Sequence, residues 1–504
     1  MPLAPENTAW PPPHLDRPYA VMRVHDAWYG GDRAELIAAG RHGADTVGPL
    51  AHGRRRRFWD EPPPPGQRDT RVHVPLAADM ATTSADLLFS EPPVLSVDDP
   101  AAQRRLERIV EDGGVHNVLL EAAEICAALG GVYLKADWDL AVAPRPVLAV
   151  VHPDSAVPEW RWGELVAVTF WRVVEDDGSV VLRYLERHEP GRIEAALYQG
   201  DRHGLGERLP LAEHPVTAAL AEGADGSATG AVKETGLDLL TAVYVPNMRP
   251  NRRLRGEPHG RSDFDGVEDL FDALDETWTS WLRDLRLARS RIIVPQGYLQ
   301  SRGRGAGAHF DLDREVFEEL NMPPSGAPGT GGITVNQFAI RVTEHATTAE
   351  QLVRQAIAAA GYSAQTYGLM GNVQATATEV IARERRTFLT RDRKARYWRP
   401  QLGRLGELLL ALDRALGFSA VVPARPRVEF GDSVSEDPKT VAETVDLLSR
   451  AEAVSTETKV RLLHPDWTQQ RVADETRRIL AESGRELPDL DAVFGALPGA
   501  GGTP

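Results

Sequence analysis

The chain has 504 residues, a formal net charge of −16, 42% apolar residues and a single cysteine. That length argues for more than one packed unit, and the negative charge excludes a protein that wraps nucleic acid through a broad basic face. Cys126 alone excludes an internal disulfide or a cysteine metal cage, and no apolar stretch is free enough of charge to cross a bilayer, because 119–134 carries Glu121 and Glu124 and 405–416 carries Glu407 and Asp413.

The start of the chain, 1–13, shows no basic segment followed by an apolar one, so no secretory signal is expected. The first seventy residues are rich in proline, arginine and glycine and predict loops, with short helices near 32–40. The run Arg54 to Arg57 before Phe58 and Trp59 is read as a solvated surface or an interface rather than a nucleic-acid contact. Helical spacing of apolar residues predicts a buried helix over 74–89, with Pro75 in its first turn and Pro92-Pro93 as its stop. Helices over about 101–111 and 115–129 follow, the latter holding Cys126 as a small core residue and ended by Gly130-Gly131. The period then shortens to two: 132–136, 147–151, 164–174 and 180–186 predict antiparallel strands with a turn at Glu175-Asp176-Asp177-Gly178. Together these segments describe an α+β domain of about 190 residues. A small-residue loop at 223–230 and a polar, turn-rich connection at 245–260 come next.

A long amphipathic helix is expected from a cap at Ser262 or Asp263 to about Arg289, roughly 40 Å at 1.5 Å per residue. Val267, Leu270, Phe271, Leu274, Trp278, Trp281, Leu282 and Leu285 form its apolar stripe, with Asp263, Asp265, Glu268 and Asp269 at its start and Arg283, Arg286 and Arg289 at its end. Strand-like pieces near 292–299 and 333–340 flank glycine-rich loops and the acidic stretch 311–319. A helix over about 347–360 leads to the polar segment 363–376, read as a loop or broken helix hinged at Gly368 and Gly371. A third long helix over 377–416 contains Pro400, where a kink or break is expected. Helical segments from 437 to 450, from 455, and over 472–483 precede a glycine- and proline-rich tail, read as disordered from 495.

The chemistry of catalysis is missing from this pattern. There is no GxxxxGK[ST] phosphate loop, no GxGxxG between strand and helix, no HExxH and no GxSxG. Asp311, Asp313, Glu315, Glu318 and Glu319 suggest a carboxylate metal cluster for nuclease work, but a solvated acidic loop fits them better. His52, His73 and His116 read as core or surface histidines rather than ligands. No metal, no cofactor and no catalytic residue is assigned.

Four segments carry a resemblance: HVPLAADMATTSADLLFSEPP at 73–93, GRSDFDGVEDLFDALDETWTSWLRDLRLARSRIIVP at 260–295, TATEVIARERRTFLTRDRKARYW at 376–398 and DPKTVAETVDLLSRAEAVSTETKVRLLHPDW at 437–467. In this order, over about 20–485, the chain resembles the portal proteins of tailed bacteriophages, the long-tailed type that infects actinobacteria. The resemblance implies a helix-rich α+β portal fold of wing, stem, clip and crown, assembling as a ring. Residues 1–260 would be the N-terminal part and α+β wing, 261–290 the first stem helix, 291–344 the clip and 345–362 the second stem helix. Residues 363–376 would be the tunnel loop, 377–433 the long wing helix and return strand, 434–490 the helical crown and 491–504 a disordered tail.

The same resemblance implies a structural protein, not an enzyme, at one capsid vertex of the virion, present in the host cytoplasm during assembly. Its implied partners are copies of itself in a ring, twelve-fold by the family's habit, the major capsid protein, the large terminase subunit, then a head–tail adaptor, and double-stranded DNA passing without sequence specificity. Gln365, Tyr367, Asn372 and Gln374 are the candidate DNA-facing loop positions, with Tyr367 either on that face or packed beneath the loop. Leu274, Trp278, Trp281 and Leu285 are the candidate stem-packing residues. A nuclease built on Asp311, Asp313 and Glu315 and a different head assembly protein are the alternatives; adaptors are usually far shorter and have no place for three long helices.

Overall fold

The computed structural model of the chain describes residues 3–45, 58–60, 66, 68–140, 142–221, 231–288, 291–293, 300–301, 308–309, 334–336, 340–369, 377–431, 438–451, 453–464, 467 and 469–482. Two compact units emerge, one of residues 1–375 and 379–431 and the other of 376–378 and 432–504. The first opens with helices α1 (Asp16–Gly30) and α2 (Arg33–Asp45), so the proline-rich start is more helical than its composition predicts. Pro18 stands in the first turn of α1, where a missing N–H costs no helical hydrogen bond. Gly31 at φ 68° ends the helix, and Tyr19, Met22 and Trp28 are buried.

Helix α3 (Leu76–Phe89), strand β1 (Val94–Ser96), α4 (Pro100–Asp112) and α5 (Val115–Leu129) lie close to where apolar spacing places the helices. The Asp99 carboxylate accepts from the backbone N–H groups of Ala101 and Ala102, capping α4. Gly130 is left-handed at φ 88°, and a Cβ there would come within 2.9 Å of the backbone at Gly260, Arg261 and Ser262, so only glycine lets α5 turn into the next strand. Cys126 is fully buried beside that turn.

The strands are β2 (Gly131–Asp137), β3 (Val147–Val151), β4 (Ala156–Arg161), β5 (Glu164–Asp176), β6 (Val181–Glu189), β7 (Arg192–Gly200) and β8 (Glu207–Leu209), then, after helix α6 (Pro215–Ala221), β9 (Ala231–Glu234) and β10 (Ala242–Pro246). They build a three-stranded sheet, β10-β2-β3, and a larger one, β4-β5-β6-β7-β8 with β9 also on β7, all antiparallel. The predicted strands match β2, β3, β5 and β6. Of the strands not predicted, β4 carries Pro158 and a register shift at Glu159/Trp160, β8 and β9 are only three and four residues long, β10 runs into the turn-rich connection at 245–260, and β7 lies in a segment to which the spacing assigns no strand.

Helix α7 runs Glu268–Leu287, about 30 Å, and so is shorter than its sequence suggests. Asp263 does not start it because that carboxylate is buried and bonded elsewhere, and Gly266 at φ 84° breaks the helical path just before Glu268. Short strands β11 (Arg291–Ile293), β12 (Gln300–Ser301), β13 (Ala308–His309) and β14 (Thr334–Asn336) follow, with β11 paired to β14 and β12 to β13. Helix α8 (Val342–Ala360), helix α9 (Ala377–Ala415) and strand β15 (Arg427–Glu429), which pairs with β1, complete the first unit. α9 passes Pro400 without a break. The proline is exposed, and Trp398, Leu402, Leu405, Leu408 and Leu409 anchor the helix in the core on either side of it.

The second unit contains α10 (Pro438–Arg450), α11 (Thr456–Leu463), capped by the Ser455 hydroxyl, and α12 (Gln469–Glu482). Among the described residues no helix is long and apolar enough to cross a membrane. The segment 222–230, Arg54 to Arg57, most of 294–333 and the tail lie outside the described residues.

Candidate functional site

Contacts at both ends show that α7 and α8 run antiparallel. Near one end the indole of Trp281 stacks on the imidazole of His345, centroids 6.0 Å apart and planes 9° apart. Asp284, one turn further along α7, accepts from His345 Nε2 at 3.1 Å and from Arg341 Nε at 2.9 Å. Those hydrogen bonds, more than the attraction of the two basic groups, hold the Asp284 carboxyl below its ordinary range. Leu274 is buried at 1% exposure, whereas Trp278 is 36% and Leu285 44% exposed. The apolar stripe of α7 thus divides: its first half packs into the subunit, and in its second half Trp281 packs on α8 while Trp278 and Leu285, together with Leu287, Ile340 and Val342, face outward.

At the other end of the pair, a buried polar hub joins five segments. Lys394 Nζ on α9 lies 2.5 Å from Asp263 Oδ2, 2.6 Å from Ser84 Oγ on α3 and 2.9 Å from Tyr362 Oη, just beyond α8. Tyr362 donates its hydroxyl to Asp263 at 2.6 Å, and Asn247 Nδ2 donates to the other carboxylate oxygen at 2.8 Å. Every polar atom of the ion pair is therefore matched, as a charge removed from water requires. Burial first, then the neighbouring Asp263 charge, pushes the Tyr362 hydroxyl far up, so it stays a donor.

The polar segment after α8 leaves this hub. Gly361 at φ 102° turns the chain, and the Thr390 hydroxyl donates to its carbonyl at 2.7 Å. Thr387 Oγ1 accepts from the Ser363 N–H at 2.9 Å and meets the Ser363 and Thr366 hydroxyls at 2.9 and 2.8 Å. Residues Ala364–Tyr367 form a single 3-10 turn, and Arg354 on α8 reaches over to donate to the Leu369 carbonyl at 2.5 Å.

Of the loop residues singled out from sequence, Gln365 and Tyr367 sit on that turn, half-buried. Tyr367 packs against the main core and edge-on to Tyr362, and burial raises its hydroxyl above the ordinary tyrosine range. The Gln365 side-chain oxygen is buried without a hydrogen-bond partner. Asn372 and Gln374 lie outside the described residues, as do His52, Asp311, Asp313, Glu315, Glu318 and Glu319. The sequence reading missed Asp263, Tyr362, Thr387 and Lys394; the one available signal was a lysine inside an arginine-rich helix of a chain with five lysines.

Several described histidines are buried against carboxylates, among them His188, which lies between Thr241 Oγ1 at 2.6 Å and Glu186 Oε1 at 2.5 Å. His73 Nδ1 pairs with the buried Asp275 at 2.8 Å, and His116 is held below its usual range by burial. Among the described residues His25, Asp265 and Glu268 come close enough to share a metal ion. Arg253 already supplies the cation there, with Nε 2.6 Å from Asp265 and Nη2 2.6 Å from Glu268.

A family model described as phage portal protein, SPP1 Gp6-like, matches residues 54–489. Solved structures similar to the chain include the neck of an empty gene transfer agent particle computed with C6 symmetry, at 16% identity and TM-score 0.42 over 84% of this chain and 98% of that one. The neck of the native particle computed with C12 symmetry gives 15%, 0.39, 77% and 89% for the same measures, and the virion of the native particle 14%, 0.39, 79% and 94%. No curated protein sequence matches the chain.

Proposed function

The chain belongs to the phage portal proteins of the SPP1 Gp6-like family, and from that premise we propose that it forms the ring-shaped channel at one capsid vertex through which DNA is packaged and later ejected. The observation that carries this reading is the span of the family match, 54–489, which takes in α7, α8, α9 and the helical second unit together. The outward-facing apolar residues of the α7–α8 pair support it, since Trp278, Leu285 and Val342 gain from burial against a neighbouring subunit.

In this reading 1–260 and 377–433 are the wing, α7 and α8 the stem, 291–344 the clip, 363–376 the tunnel loop and 434–490 the crown. Trp278 and Leu285 contact the next subunit, while Leu274 and Trp281 hold the helix pair together. Gln365, Asn372 and Gln374 lie on the DNA side of the loop, and Tyr367 anchors it from beneath. The ring is a dodecamer, sits against the major capsid protein, docks the large terminase subunit and then a head–tail adaptor, and performs no catalysis itself. Its net negative charge, multiplied around the ring, keeps passing DNA from adhering. A phage lacking this chain tests the role: heads without packaged DNA are expected, and DNA-filled heads assembled without it contradict the proposal.

A further inference from the structure

The hairpin joining β4 to β5 pairs Arg161 with Glu164, leaving a two-residue turn of Trp162 and Gly163. Both residues are left-handed, at φ 56° and 83°. Asn, Asp or Gly normally takes the first place in such a turn, because a larger side chain strains the backbone there. Trp162 is in addition 100% exposed. Its indole therefore stands where both backbone and solvent disfavour it, and among the described residues nothing covers it. Strain kept at an exposed aromatic points to a docking anchor.

The far end of the same sheet carries a matching recess. A cavity of about 240 Å³ there is lined by Val180, Leu182, Leu209 and the fully buried Leu197, with Glu175, Asp177, Glu213 and His214 around them and His214 3.9 Å from Glu175. It lies beyond the C-terminal end of β5, whose thirteen residues separate it from the hairpin by about 40 Å. Arg161 and Glu164 flank the knob, Glu164 already paired with Arg404 at 2.8 Å, while three carboxylates and one imidazole surround the recess, so the two attract each other although whole subunits of net charge −16 repel.

We propose that Trp162 of one subunit seats in the Leu182–Leu197–Leu209 recess of the next copy of this chain, with Arg161 against Glu175 and Glu213. A knob and a recess about 40 Å apart cannot satisfy each other within a subunit; between copies they can swap reciprocally in a twofold pair or repeat head to tail, and the closed ring of the channel reading takes the second arrangement. The inference rests on the channel reading and specifies one of its subunit contacts.

Trp162→Asn suits the turn and removes the indole, so the dissociated subunit should unfold at an unchanged or higher temperature. The subunit concentration at half assembly should rise about tenfold or more, as loss of a central aromatic anchor does. Trp162→Cys combined with Gln199→Cys, at the recess edge, should give a ladder of disulfide-linked multimers under mild oxidation, and neither single variant should. Cys126 stays silent because it is buried and its thiol is held high by that burial. Normal assembly of Trp162→Asn, or impaired assembly without the ladder from the cysteine pair, overturns this contact and leaves the channel standing. A wild-type chain that remains a 55.2 kDa monomer contradicts the channel reading as well.

Discussion

Lys394 Nζ and Asp263 Oδ2 meet at 2.5 Å with 1% and 0% of their side chains exposed. Removing one partner strands a charge away from water, whereas removing both leaves mainly a packing change. Lys394→Met should therefore lower subunit stability by about 3–5 kcal/mol, and adding Asp263→Asn should recover part of the loss. Denaturant unfolding of the two variants checks this; a double variant no more stable than the single one contradicts it.

The two halves of the α7 stripe should respond differently to truncation. Leu274→Ala, at a fully buried position, should cost about 2–5 kcal/mol. Trp278→Ala should change the stability of the dissociated subunit by less than about 1 kcal/mol, as half-open positions do, yet weaken assembly. Thermal unfolding beside sedimentation of both variants separates the effects.

Thr387 should set how firmly the polar loop begins. Thr387→Val keeps the shape but removes the hydroxyl shared by Ser363 and Thr366, a loss of about 1–3 kcal/mol. Amide exchange at 363–366 should quicken while α7 and α8 stay protected; unchanged exchange there would show that the loop is pinned by other contacts.

Glu268 should give the protein an acid limit. Burial alone would raise this carboxyl, but hydrogen bonding and charge from His25 and Arg253 outweigh it and hold it at about 2, against 4.5 when unperturbed. A depressed carboxyl stabilises the fold above its unfolded value, and that contribution is lost as pH falls from about 4.5 toward 2. Stability measured across this window should fall less steeply in Glu268→Gln than in the wild type.

Helices α3 and α5 were legible because their ends carry local signals, Pro75 and Gly130, that act within the segment itself, and α4 was legible between them without its Asp99 cap. α1 was hidden because prolines suggest loops unless one knows that Pro18 falls in a first turn. The start of α7 was misread for a related reason: Asp263 looks like a helix cap, and only the fold reveals that Lys394, 131 residues away, claims its carboxylate. Hubs of that kind leave almost no trace in a sequence, since each member is ordinary in its own segment. Trp162 was equally silent, because an exposed tryptophan and a buried one are the same letter until the turn's backbone is known.

Negative-stain electron microscopy of the purified protein, with its mass in solution, tests the central claim most directly. Rings of about twelve subunits enclosing a hole wide enough for duplex DNA are the expected result. A well-folded 55.2 kDa monomer at every concentration would contradict the channel.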